Sequence, residues 1–309
     1  MFVAGATGAI GRPLVHALVA AGHEVTGMTR SEQRAEALSA AGARPVVCDV
    51  FDADGVRAAM AAAVPEMVVH ELTSLPRRID PRDKGTYTST NRVRREGTRI
   101  LIDAARAAGA RRFVCQSIAF AYEPEGDMVK DEKAPLMLAA PAPFGEGVRA
   151  VRDMERMVLE ADDLEGVVLR YGFFYGPGTA FARDGSMAAD VRRRRMPIVG
   201  AGAGTFSFIH VEDAADATVA ALGSGAPGVY NIVDDEPARL RDWVPAYAEA
   251  IGAKRPWRVP AWLARIVAGR AAAAMATRVR GASNAKAKRE LRWTPRHPSW
   301  REGFRDSLG

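Results

Sequence analysis

Gly5-Ala6-Thr7-Gly8-Ala9-Ile10-Gly11 has the composition and spacing of a loop that holds a pair of phosphates. It follows a short apolar run, Phe2-Val3-Ala4, and opens a helical pattern from Gly11 to Ala21. In a strand-turn-helix of this kind the first glycine permits a tight turn. The second lets a pyrophosphate approach the backbone, and the third lets the helix pack closely on the sheet. The helix N-terminus then presents free N–H groups and the positive end of its dipole. The chemistry is dinucleotide binding. A carboxylate at the end of the second strand would hold a ribose 2′-hydroxyl. The residues there are Met28-Thr29-Arg30-Ser31, with Arg34 close behind. A guanidinium grips a 2′-phosphate bidentately, so Arg30 and Arg34 point to NADP, with NAD as the other choice. The same two arginines also suit the start of a solvated helix. Asp49-Val50 closes the third strand, where the carboxylate is in reach of an adenine amino group.

The elements that must position these residues alternate. Strands are expected at 2–4, 24–29, 45–48, 66–71, 112–116 and 167–170, and helices at 11–21, 32–41, 54–63, 86–108 and 148–160. That rhythm predicts an α/β fold, a Rossmann-type doubly wound parallel sheet covered on both faces. After Tyr171 the rhythm changes. Strand-like segments return at 205–209 and 229–233, and helical patterns at 211–222, 240–251 and 261–275. The expected division is a dinucleotide-binding lobe from 1–171 plus 206–236, and a small mixed substrate lobe from 172–205 plus 237–309. The loop from Glu123 to Gly147 is long, and loops of that length usually carry function.

Composition bounds the rest. The chain has 309 residues, 48% hydrophobic and 26% charged, which suits a globular enzyme rather than a disordered or fibrous chain. Two cysteines, Cys48 and Cys115, exclude a disulfide scaffold and suit a reducing, cytoplasmic setting. The first residues lack the basic region of a secretory leader. The apolar stretch 261–279 is interrupted by Arg265, Arg270 and Arg278, so no membrane span is expected. The net charge is +6, and Arg192 to Arg195 form the densest basic run. That run faces either an anionic substrate or solvent. It lacks the interleaved aromatics of a nucleic-acid platform, so no nucleic-acid partner is expected. His16, His23, His70, His210 and His297 show no metal-binding spacing.

Several segments together resemble the extended short-chain dehydrogenase/reductase superfamily, NAD-dependent epimerase/dehydratase-like: GATGAIG, Asp49-Val50, YGFFYGPGT (171–179), FSFIHVEDAA (206–215), VYNIVDDEP (229–237) and the tail from Ser283 to Phe304. The resemblance implies that Gly5, Gly8, Ala9, Ile10 and Gly11 contact the pyrophosphate. It implies that Leu72 and Thr73 lie along the nicotinamide ribose, and that Tyr171, Gly172 and Phe173 border the nicotinamide. Thr7 and Gln116 complete the expected cofactor-binding set. His210 and Asp213 fall at the start of a buried helix, a structural position. A homodimer through the helices at 86–108 and 148–160 is a further implication.

The superfamily's Tyr-x-x-x-Lys pair is missing. No tyrosine here has a lysine four residues on. With Glu155 matched to the family glutamate that follows the lysine, the two positions fall at Gly147 and Val151. The expected substitutes are Ser117 as a hydrogen-bond donor to a carbonyl, with Tyr122 and Glu146 near the vacated place. The expected function is an NADP(H)-dependent oxidoreductase or epimerase-like enzyme with non-standard catalytic residues. Its substrate would be a small polar or natural-product carbonyl or alcohol. The alternative is a catalytically silent NADP-binding redox sensor.

Overall fold

The computed structural model describes residues 1–76, 83 and 85–308. The first part lays down β1 (Phe2–Ala4), α1 (Gly11–Ala20), β2 (Thr26–Thr29), α2 (Glu32–Ala40), β3 (Arg44–Val47), α3 (Ala53–Ala63) and β4 (Met67–His70). Next come α4 (Thr88–Arg92), a π-helical turn (Val93–Gly97), α5 (Thr98–Ala107), β5 (Arg112–Ile118), β6 (Val129–Lys130), α6 (Phe144–Leu159), β7 (Glu165–Tyr171) and β8 (Phe173–Tyr175). The remainder comprises α7 (Ser186–Arg192), β9 (Ile198–Val199), β10 (Thr205–Phe206), β11 (Phe208–His210), α8 (Val211–Gly223), β12 (Gly228–Ile232) and β13 (Ala238–Arg239). It ends with α9 (Leu240–Ala250), β14 (Arg258–Val259), α10 (Ala261–Val267), α11 (Arg270–Arg278), β15 (Gly281–Ala282), α12 (Ala285–Glu290) and α13 (Trp300–Leu308).

Seven strands form one parallel sheet in the order β12-β7-β5-β4-β1-β2-β3. This is the doubly wound arrangement expected from the alternating pattern. The order reverses between β1 and β4, and the crevice outside the strand ends at such a reversal is where ligands bind. Side chains alternate across the pleat. Val3, Val69, Val114 and Val167 meet Leu14 and Leu18 of α1 and Ala217 of α8 on one face. Phe2, Val68, Phe113 and Val168 meet Met60 of α3, Leu101 of α5 and Met154 of α6 on the other. A third core is aromatic: Phe181, Phe206, Phe208, Trp243, Tyr247, Trp300 and Phe304 pack together beyond the sheet. Among the described residues no helix is long and apolar enough to cross a membrane.

Three boundaries differ from the sequence reading. The strand expected at 205–209 breaks at Ser207: β10 pairs antiparallel with β13, and β11 pairs parallel with β8. Ser207 is turned aside, its Oγ accepting from the Ala282 amide at 2.9 Å. The helix expected at 261–275 is two helices, because Gly269 takes φ +90° between them. Helix α6 starts at Phe144, four residues early, with Pro143 immediately before it.

Candidate active site

The glycine turn is built by contacts that leave no room for side chains. Gly5 has φ +93°, and a Cβ there would lie 2.7 Å from the Glu71 carbonyl. A Cβ on Gly11 would fall on the Gly5 carbonyl oxygen. The Gly8 amide donates to the Gly5 carbonyl at 3.0 Å, and Gly8 itself is exposed. Ile10 is buried in the core, so what it and Ala9 offer a ligand is backbone. Helix α1 begins with no side-chain cap and no acid in its first turn. The Arg12 amide donates to the Gly8 carbonyl at 3.2 Å and Pro13 has no N–H, so the helix start offers an anion the Gly11 amide and the positive end of its dipole, and the turn fits a pyrophosphate. The Thr7 hydroxyl lies 3.5 Å from that of Thr29.

Beyond β2, Arg30 and Arg34 are exposed. Neither has an ion-pair partner among the described residues. Asp49 lies two residues past the end of β3, exposed, its Oδ1 accepting from the Phe51 amide at 2.9 Å. Val50 is buried against Gly97.

The exit of β4 is a hydrogen-bonded junction. His70 Nδ1 accepts from the Leu72 amide at 3.2 Å, and Nε2 meets the Thr98 hydroxyl at 3.0 Å. Burial pushes the His70 imidazole down to about 4, so it stays neutral and shapes the strand exit. Gln116 Nε2 donates to the Leu72 carbonyl at 2.9 Å, and Thr73 is exposed at the surface. Glu71 is buried. Its Oε1 lies 3.0 Å from the Tyr171 hydroxyl, which lies 2.7 Å from the Thr218 hydroxyl, which in turn donates to the Ala214 carbonyl at 2.7 Å. Glu71 Oε2 has no partner, and burial pushes the carboxyl up to about 8. Tyr171 is thus fixed inside the core. Gly172 lets the chain pass the Ser207 carbonyl, and Phe173 stacks on Phe120 with centroids 4.2 Å apart.

The three expected catalytic substitutes are not brought together. Ser117 is buried and donates to Glu155 Oε1 at 2.6 Å. Glu155 also holds Arg170 in a bidentate pair, at 2.8 and 2.6 Å. Tyr122 is fully buried, donating to Asn231 Oδ1 at 2.6 Å and accepting from Arg170 at 3.0 Å. Both hydroxyls belong to one interior network that ties β5, α6, β7 and β12. Glu146 is exposed on α6, whereas its neighbour Gly147 is buried.

The vacated helix positions have their own surroundings. Val151 is fully buried. A Cβ on Gly147 would meet Arg94 Nη1 at 3.6 Å, Asn91 Oδ1 at 3.9 Å and the Tyr87 ring at 3.9 Å. A cleft of about 580 Å³ opens nearby, between the 123–144 loop and helices α10 and α11. Met137, Phe144 and Met275 give it an apolar wall, and Arg265 and Arg270 bring positive charge. Arg192 to Arg195 do not line it; they are exposed at the end of α7.

The model of the NAD-dependent epimerase/dehydratase family matches residues 1–233. The chain belongs to this family. A 3-diazoavenalumate denitrifying reductase of a Streptomyces species is 49% identical over 98% of this chain and 98% of its own length. A UDP-glucose 4-epimerase of Mycolicibacterium smegmatis is 30% identical, covering 81% of this chain and 82% of the relative. Among solved structures, the UDP-glucose 4-epimerase of Thermotoga maritima with UDP-glucose superposes with a TM-score of 0.79 at 21% identity, over 99% of this chain and 96% of that one.

As a member of the epimerase/dehydratase family the chain is an enzyme of the oxidoreductase/epimerase type with a nicotinamide cofactor. The open helix N-terminus and the exposed Gly8 fit the diphosphate of that cofactor. His210 caps α8 by accepting from the Glu212 amide. Asp213 is fully buried and accepts from the amides of Arg296 and His297. Among the described residues one group, His210, Glu212 and His297, brings metal-ligand atoms within 4.8 Å of one another. Two of its nitrogens already have partners, His210 Nδ1 with the Glu212 amide and His297 Nδ1 with Asp213. Sequence reasoning missed Glu71, Tyr87 and Arg94. Only the spacing of Tyr87 was informative, and it excluded the usual motif.

Proposed function

We propose that the chain is an NADPH-dependent reductase that delivers hydride to a diazo-bearing carboxylate and releases dinitrogen. The observation that carries this is the state of α6: glycine and a buried valine stand at 147 and 151, in a chain whose glycine turn is intact. Reduction of a carbonyl leaves an alkoxide that needs a proton, which the tyrosine normally supplies. A diazonium group carries its own positive charge. When bound, the cofactor supplies the hydride. One hydride converts R–N₂⁺ to R–H and N₂ with charge and electrons balanced and no proton drawn from the protein. Support comes also from the denitrifying reductase to which the chain is 49% identical. The apolar cleft with Arg265 and Arg270 suits an apolar acid. The sensor reading rests on the same two vacancies, and an acceptor that needs no proton accounts for them without it.

The cofactor preference follows from Arg30 and Arg34, exposed and without carboxylate partners among the described residues. A charge-assisted contact to a 2′-phosphate is worth about 1.5–3 kcal/mol, so Arg30→Ala is expected to weaken NADPH about ten- to hundred-fold and to leave NADH unchanged. Fluorescence titration of both cofactors reads this directly. The reaction is tested with 4R- and 4S-deuterated NADPH and an aryl diazonium carboxylate. The expected result is N₂ evolution with deuterium from one of the two cofactors in the product. Reduction of a ketone at a comparable rate, with no N₂ from the diazonium, overturns the diazo reading.

A further inference from the structure

The residues that border Gly147 on α6 form a second set of donors. Arg92, Arg94 and Arg95 lie on one short segment at the π-helical turn. Arg92 pairs with Glu96 and Arg95 with Asp153, each at 2.8 Å. Arg94 turns inward instead. Its Nη1 reaches only neutral oxygens, Asn91 Oδ1 at 3.2 Å and the Gly147 carbonyl at 3.4 Å. It has no carboxylate partner among the described residues, since the nearby Glu155 is already engaged by Arg170 and Ser117. The Tyr87 side chain, partly buried beside it, makes no hydrogen bond among the described residues. A π turn inserts an extra residue and re-aims the side chains that follow, a distortion frequent at functional sites.

We propose that Arg94 and Tyr87 bind the substrate's carboxylate in the space that Gly147 leaves open on α6. The proposal rests on the reductase reading above and names the group that orients its substrate. A side chain at 147 would meet this pair, so glycine there admits a ligand oxygen where the family's phenol would stand. Burial lowers the Arg94 guanidinium to about 10, so it is still charged at neutral pH. A partly buried cation with only neutral acceptors gains most from an arriving anion. The phenol supplies a second donor on the same side, and burial raises its pKa so that it keeps its proton.

The test is equilibrium binding of benzoate and cinnamate to the protein saturated with NADP, by calorimetry. The variants are Arg94→Gln, Arg94→Lys and Tyr87→Phe, with benzamide as a neutral control. Expected are at least ten-fold weaker carboxylate binding in Arg94→Gln, partial recovery in Arg94→Lys and a three- to ten-fold loss in Tyr87→Phe. Benzamide should bind weakly and equally to all. Carboxylate affinity unchanged in both Arg94→Gln and Tyr87→Phe overturns the proposal, as does a wild type that binds neither acid or prefers benzamide. Diazonium turnover is measured alongside. A wild type that binds benzoate through Arg94 but evolves no N₂ upholds the anion site and overturns the reductase reading instead.

Discussion

Arg170→Met is expected to lower the unfolding free energy by about 3–5 kcal/mol, the usual result of stranding one member of a buried ion pair. Both side chains of the Arg170–Glu155 pair are only 6% exposed. The guanidinium also donates to Tyr122, and the carboxylate also accepts from Ser117. Removing the arginine leaves a buried carboxylate with one hydroxyl for company and deprives Tyr122 of a donor. The pair replaced as a whole is a different matter. Arg170→Met combined with Glu155→Leu exchanges two desolvated charges for apolar volume, so the double variant should be more stable than Arg170→Met alone. Urea midpoints for the wild type, both single variants and the double variant give the coupling. A double variant as unstable as the sum of the two singles would mean that the network matters for shape rather than charge.

Raising the pH from 6 to 9 is expected to destabilise the wild type and to affect Glu71→Gln far less. The sign follows from the protons. In the unfolded chain this carboxyl titrates near its ordinary value of 4.5, and in the folded protein burial raises it to about 8. Between those values the folded state holds a proton that the unfolded state has released. Stability therefore falls as pH rises, by at most about 1.4 kcal/mol per unit across the window from 4.5 to 8. The Tyr171 hydroxyl donates to Glu71 Oε1, which by itself favours the carboxylate, but the cost of burying the charge is larger and sets the direction. Glutamine keeps an acceptor oxygen for Tyr171 and does not titrate. The buried Cys115 thiol and the Tyr171 phenol lie nearby, and burial raises both. Urea midpoints for the two proteins should diverge as pH rises, with Glu71→Gln the more stable at pH 9. Parallel curves would show that the wild-type carboxyl titrates in the ordinary range.

Much of this was legible in the sequence, for local reasons. The glycine turn spans seven residues: Gly11 is required by the Gly5 carbonyl within the turn and Gly5 by its positive φ, to which the distant Glu71 carbonyl adds a second constraint. The strands of the sheet announce themselves as apolar runs at the spacing of βαβ units. What was not legible depends on residues far away in the chain. Ser117 and Tyr122 are hydroxyls on or after β5 and read as candidates for proton transfer. Glu155, Arg170 and Asn231, remote in sequence, commit them to the interior. Arg94 was hidden for the opposite reason. It sits in a charged run, Arg92 to Glu96, that reads as a solvated helix face, and what sets it apart is its inward contact with Asn91 and the Gly147 carbonyl. The start of α6 was missed because Pro141 and Pro143 read as loop, although proline suits the first turn of a helix.

The Asp213 carboxylate, which takes the amides of Arg296 and His297, also bears on how the molecule is made. It closes a loop of more than eighty residues. No bond of this kind exists in the unfolded chain, so the whole entropy of closure falls on the folding reaction. Until the 296–297 segment arrives, the Asp213 carboxylate is held by water at a position that ends fully buried. The inner end of α8 is therefore expected to be completed late, together with its contact with α1, the helix that follows the glycine turn. A contact that spans more than eighty residues is thereby tied, through α8 and α1, to the short glycine turn.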